Sequence, residues 1–101
     1  MKENFSLNRL ILENNKKMLE QYNAYVKEIA NTIIMDLPDE DKEKIRKDSD
    51  YSGYHFGFGL YIRNNYIYGK VDIKVDADDM SSDIFYEIVD ILNSQKKCKE
   101  I

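Results

Sequence analysis

Tryptophan is absent from this chain, and histidine, cysteine and proline occur once each. A single cysteine, Cys98, cannot close an internal disulfide, so no cross-linked scaffold is expected. His55 and Cys98 are too few and too far apart to make a zinc site. Glycine is scarce too, and Gly57-x-Gly59 lacks the third glycine and the βαβ setting of a nucleotide-binding loop. No apolar run approaches the length of a membrane span, and the opening MKENFSLNRL lacks the apolar core of a leader, so a cytoplasmic location is expected. Asn4-Phe5-Ser6 spells a glycosylation sequon, which carries no meaning in that compartment. No metal and no cofactor is expected.

What is present suits one small folded domain of 101 residues. Apolar residues make up 43% and charged residues of both signs 34%, a balance that argues against disorder. The net charge of −4 is unevenly placed: Asp72, Asp76, Asp78, Asp79, Asp83, Glu87 and Asp90 follow one another with Lys74 the one base among them. Such a field repels phosphate backbones and attracts basic surfaces, so direct nucleic-acid binding is not expected. The plainer alternative is a solvated helix face. Asp76, Asp78 and Glu87 fall at positions 1, 3 and 12 of a calcium loop, but Met80, Ser81 and Asp83 break its pattern at the positions between.

Leu7, Leu10, Ile11, Met18, Tyr22, Tyr25, Ile29 and Ile33 recur at helical spacing, which predicts a long helix over residues 6–35 with Ser6 as its N-cap. Unbroken, some 28 residues would form a rod of about 42 Å, too long for a compact domain of this size. The polar block Asn14-Asn15-Lys16-Lys17 is the natural bend. Pro38 and the acids after it start a short charged helix over 38–47, whose one large apolar residue is Ile45. A last helix over 79–95, capped by Asp78 or Asp79, carries Met80, Ile84, Ile88 and Ile91 as its stripe, widened by Phe85, Val89 and Leu92. Lysines 96, 97 and 99 complement its C-terminal end.

The middle supports two readings. Phe56, Phe58, Leu60 and Ile62 alternate as a half-buried strand would, with Asn64-Asn65 as a turn. Equally, His55, Gly59 and Arg63 stand four apart on one face of a helix. The segment His55-Phe56-Gly57-x-Gly59-x-x-Ile62-Arg63-Asn64-Asn65, followed by Asp78-Asp79-Met80-Ser81, resembles a family of small uncharacterised bacterial proteins with an H-F-G-x-G-x-x-I-R-N-N … D-D-M-S pattern. Leu37-Pro38-Asp39-Glu40-Asp41-Lys42 is similar to the short helix that family places before its histidine. The likeness spans roughly residues 37–92 and implies a helical motif segment; some members resemble toxin-immunity proteins. The expected fold is therefore mainly α: a small helical domain with a long N-terminal helix, with a short β-hairpin over 66–75 left open where YIYGKVDIKVD departs from the pattern. The alternative is α+β with a hairpin over 54–75.

The function this favours is that of a small non-enzymatic acidic binding protein of immunity or inhibitor type. It would neutralise a basic partner, such as a toxin or nuclease, through Asp76, Asp78, Asp79, Asp83, Glu87, Arg63, Tyr61 and Tyr66. Asp83 and Glu87 are expected to be exposed. His55, Arg63 and Asn64 form a polar stripe on the motif segment. Arg63 there either contacts the partner or bridges to Asp78 or Asp79 within the fold, the second reading being favoured. Two alternatives are a small hydrolase or nucleotide-binding protein using His55 and Arg63, and a phage-encoded inhibitor of a host defence system. The apolar face of the N-terminal helix further suggests a homodimer through residues 7–34.

Overall fold

The computed structural model describes residues 6–48, 50, 53–54 and 57–99, with side chains as far as residue 95. The elements in order are α1 (Leu7–Leu12), α2 (Lys16–Asp36), α3 (Asp39–Lys47), α4 (Phe58–Ile62) running into a π-helical turn (Arg63–Ile67), and α5 (Ala77–Lys99). The fold is mainly α, and no strand occurs among the described residues. The principal extents are 39 × 28 × 22 Å with a radius of gyration of 13.6 Å.

The N-terminal rod is broken in the polar block. Asn15 leaves helical geometry (φ −124°, ψ 88°) and its side chain caps α2 by accepting from Met18 N–H at 3.3 Å. From there α2 buries Tyr22, Val26, Ile29, Ala30, Ile33 and Ile34 against α5. Leu37 and Pro38 are extended and end the helix, with Pro38 one position ahead of α3 rather than inside it. The acids Asp39, Glu40 and Asp41 open α3 and Lys44, Arg46 and Lys47 close it, in accord with its dipole. Ile45 buries its one apolar side chain, and Arg46 Nε reaches the Leu92 carbonyl at 3.4 Å, fastening α3 to α5.

At the centre lies α5. Its Met80, Ile84, Phe85, Ile88 and Leu92 are fully buried, as the stripe predicts. Its cap is Asp76 rather than Asp78 or Asp79: the Asp76 carboxylate accepts from Asp79 N–H at 2.9 Å and its carbonyl from Met80 N–H at 3.0 Å. Asp78 and Asp79 sit in the first turn, where the dipole favours them.

The hairpin over 66–75 does not form, and the described residues of 54–75 contain no strand. Residues 63–67 wind as a π turn closed by the Tyr68 N–H to Arg63 carbonyl bond at 2.9 Å. Asn65 Nδ2 also donates to the Tyr61 carbonyl at 2.9 Å, a side-chain bond that competes with the backbone ladder where the winding widens. Gly69, at φ +71°, then turns the chain away. Beyond it Val71, Ile73 and Val75 point toward the core while Asp72, Lys74 and Asp76 are exposed. The alternation belongs to an extended chain lying on helices. It has no partner strand among the described residues.

The largest departure from expectation lies in α1. Leu7, Leu10 and Ile11 are 51%, 47% and 72% exposed, whereas Asn8 is 1% exposed and Ser6 is buried. The helix meets the domain with its polar side. Asn8 Nδ2 donates to the Tyr22 hydroxyl (3.1 Å) and to the Asp76 carbonyl (2.9 Å), while its Oδ1 accepts from Asp76 N–H (3.0 Å). Tyr22 in turn donates to Asp83. The Ser6 hydroxyl lies 2.7 Å from Asp83 Oδ2 and 3.1 Å from Asp79 Oδ2, and Asp79 also accepts from Asn8 N–H at 2.9 Å. Arg9 reaches Asp83 Oδ1 at 3.5 Å and Asn23 Oδ1 at 2.9 Å, with its guanidinium 5.7 Å from the Tyr22 ring centre.

Burial raises the Asp83 carboxyl above its ordinary value of 3.8, against the lowering effects of Tyr22, Ser6 and Arg9. The Tyr22 phenol is likewise raised, first by burial and then by its bond to Asp83. A carboxyl raised on folding favours the folded state most when protonated, so its contribution is full below 3.8 and is lost as pH rises through the raised value. Measured by urea unfolding, Asp83→Ala should cost about 3 kcal/mol at neutral pH, because it strands the Tyr22 and Ser6 hydroxyls. Asp83→Asn keeps an acceptor and removes the proton equilibrium. The stability of the natural chain relative to that variant should therefore improve as pH falls toward 3.8.

Candidate interaction surface

The acidic run does not form one free face. Asp83, expected on the surface, is 2% exposed and serves the network beneath α1. The reason is packing: α1 lies over the first turns of α5 and turns what would be a solvent face into an interior one. Asp76 caps α5, Asp79 holds Ser6 and Asn8, and Asp78 pairs with Arg63. Glu87 is half-buried, and Asp72 and Asp90 are exposed.

Arg63 belongs to the fold. It is 4% exposed, its Nε lies 3.3 Å from Asp78 Oδ1, and its Nη1 donates to Ser81 Oγ at 3.1 Å. It ties the π turn to the start of α5, as the internal-bridge reading expects. Asn64 is exposed beside it, so the polar stripe is divided between core and solvent. His55 lies outside the described residues.

Tyr61 and Tyr66 remain accessible, and they lead to a surface that residue spacing did not reveal. Tyr61 is 46% exposed, 6.2 Å from Phe58 in a nearly parallel stack and 6.0 Å edge-on from Tyr66. Phe58 and Tyr54 rest against the fully buried Phe85 of α5, with ring centres at 6.2 and 4.8 Å. Between this aromatic group and α3 runs a cleft of about 360 Å³, lined by Leu37, Ile45, Tyr54, Phe58 and Tyr61, with Asp41 and Lys44 at its walls. Leu60, 44% exposed, adds apolar surface on α4, and Met35 is 84% exposed in the last turn of α2.

The cleft walls carry one charge of each sign, Asp41 and Lys44. Asp39 and Glu40 are exposed at the head of α3, ahead of Asp41, with Asp39 3.8 Å from Lys42 Nζ. Asp36 is close enough to Tyr66 for its charge to act there. The Tyr66 phenol is raised above 10.0 first by its hydrogen bond with Tyr61, then by burial, the Tyr61 charge and Asp36. Burial, and next the charge of Asp48, raise the Tyr54 phenol too.

Such an arrangement can bind: exposed aromatic rings on a buried aromatic base, an apolar trough, and one carboxylate and one ammonium at its walls. Among the described residues no group of three or more His, Cys, Asp or Glu side chains is placed to hold a metal ion, and no helix is long and apolar enough to cross a membrane. Ile45, alone in a charged helix, was the one sequence signal for the far wall of the cleft. A helix that buries a single apolar residue leaves a gap beside it.

Arg63→Ala should lower stability by about 2–3 kcal/mol in urea unfolding, since it removes a buried hydrogen-bonded cation from Ser81 and Asp78. Arg63→Lys should recover only part, because an ammonium cannot reproduce the planar, two-sided contact.

No family model, no curated protein and no solved structure matches this chain.

Proposed function

We propose that the chain is a small non-enzymatic binding protein that docks an apolar segment of a basic protein partner into the cleft between α3 and α4. The observation that carries this is the apolar trough with exposed Tyr61 on one wall and Asp41 on the other, next in the chain to the exposed acids Asp39 and Glu40 that open α3. Interface anchors are typically aromatic and seated in pockets, while rim charges govern association rate and partner choice. A partner offering one or two large apolar side chains flanked by lysine or arginine fits both features. In biological terms this is an immunity- or inhibitor-type role in the cytoplasm against a basic toxin, nuclease or defence effector. A phage-encoded inhibitor would use the same surface.

The acidic run on α5 takes a secondary place in this reading. Four of its members are committed to capping and internal pairing, which leaves Asp72, Glu87 and Asp90 as long-range steering charges. The hydrolase or nucleotide-binding alternative is weakened because Arg63 points inward.

A partner recovered from the native host, followed by binding kinetics, tests the proposal. Tyr61→Ala should weaken binding at least tenfold through faster dissociation, while Asp41→Lys should slow association and flatten its salt dependence. Neither should lower the unfolding temperature appreciably. Glu87→Lys should change affinity less than twofold. Loss of binding with Glu87→Lys but not with Tyr61→Ala would return the interface to α5.

A further inference from the structure

We infer that α1 is an exchangeable arm through which two copies of this chain pair, each seating its α1 on the partner's α2 and α5. Three observations converge on it. First, α1 is inverted: Ser6 and Asn8 face the domain and Leu7, Leu10 and Ile11 face out at 51%, 47% and 72% exposure. A helix on a monomer's surface ordinarily does the opposite. Second, the contacts that hold α1 are mainly hydrogen bonds and an ion pair to Tyr22, Asn23, Asp76, Asp79 and Asp83. Identical groups in a second copy would receive α1 without change. Third, the connection to α2 is only residues 13–15, of which Asn15 departs fully from helical geometry while Glu13 is already helical (φ −62°, ψ −23°).

Straightening that break gives the outward residues a place. At about 100° per residue, Ile11 then falls within about 20° of both Met18 and Tyr22, on the stripe α2 already presents inward. Leu7 falls within about 20° of Met18. Joined, residues 7–36 make a rod of about 45 Å. The whole molecule extends 39 Å, so one copy cannot cover such a rod. A second copy can, because two-fold symmetry repeats the same need on both sides.

Simple face-to-face contact of the bent form does not suffice. Three half-exposed aliphatic side chains offer on the order of 300 Å² per copy, and the resulting total of about 600 Å² lies in the range of packing contacts rather than stable dimers. Exchange adds the whole seat of α1, including Leu12 and the Asn8–Tyr22–Asp83 chain, to the area shared between copies. The short hinge makes exchange accessible, since short connections favour swapped over closed forms.

Light scattering across a wide concentration range, paired with a disulfide trap, tests this. The natural chain should shift from 12.0 kDa toward twice that mass as concentration rises. Asn14→Ala with Asn15→Ala should lower the concentration needed at least tenfold, by removing the α2 cap and favouring a continuous helix. Leu7→Ser with Leu10→Ser and Ile11→Ser should leave the fold intact by circular dichroism and keep the chain monomeric. In a Cys98→Ser background, Ser6→Cys with Asp79→Cys should yield a covalent dimer on oxidation at high concentration and an intrachain bond at low concentration. A monomeric mass at every concentration for both the natural chain and the hinge variant would overturn the inference. So would a dimer that survives the three serines, or a dimer whose trapped bonds are all intrachain.

Discussion

The Tyr22–Asp83 hydrogen bond is the contact on which the architecture turns. It joins the second turn of α2 to the second turn of α5, and both side chains are shut away from water. A buried carboxylate is tolerable only when its oxygens are satisfied, and here Tyr22, Ser6 and Arg9 do that together. The demand explains why α1 lies where it does. Ser6 and Arg9 come from the start of the chain, and Asn8 between them closes the Tyr22 hydroxyl and the Asp76 backbone. A polar cluster thus replaces the apolar stripe that would otherwise dock this helix.

That choice has consequences at the surface. With its polar residues turned inward, α1 presents leucine and isoleucine to solvent, buries Asp83 of α5 beneath it and engages the half-buried Asp79. The same few residues therefore govern two functional questions at once: which charges can steer a partner, and which apolar face lacks a cover. Neither could be separated from the other without moving α1.

At the opposite wall a second buried charge performs a similar service. Arg63, held by Ser81 and Asp78, fixes the π turn against α5 and so sets the angle at which Phe58, Tyr61 and Tyr66 leave the core. The cleft follows from that angle and from the sparse apolar content of α3, which meets α5 through Ile45 and the Arg46–Leu92 contact. Packing interactions place the rings, and the shortage of packing partners leaves the trough beside them open.

The polar block marked the break at Asn14-Asn15, and periodicity left the segment that forms α4 open between helix and strand. Elsewhere periodicity determined the long helices and most of the interior: Met80, Ile84, Phe85, Ile88 and Leu92, and the buried row from Tyr22 to Ile33. These follow from local geometry, because residues three or four apart share a face whatever surrounds them. The sequence also carried a pattern of alternation at 71–75 that is real but describes a chain resting on helices rather than a paired strand. Only the tertiary structure decided which side of α1 faces inward, that Asp83 is interior, that Asp76 caps α5, and that the aromatic group opens onto α3. The cap is a local bond, from Asp79 N–H to Asp76, but the other three depend on contacts far apart in the chain, up to 77 positions for Ser6 with Asp83. Spacing along a chain does not encode them, because the rotation of one helix about its axis is set by the partner it meets.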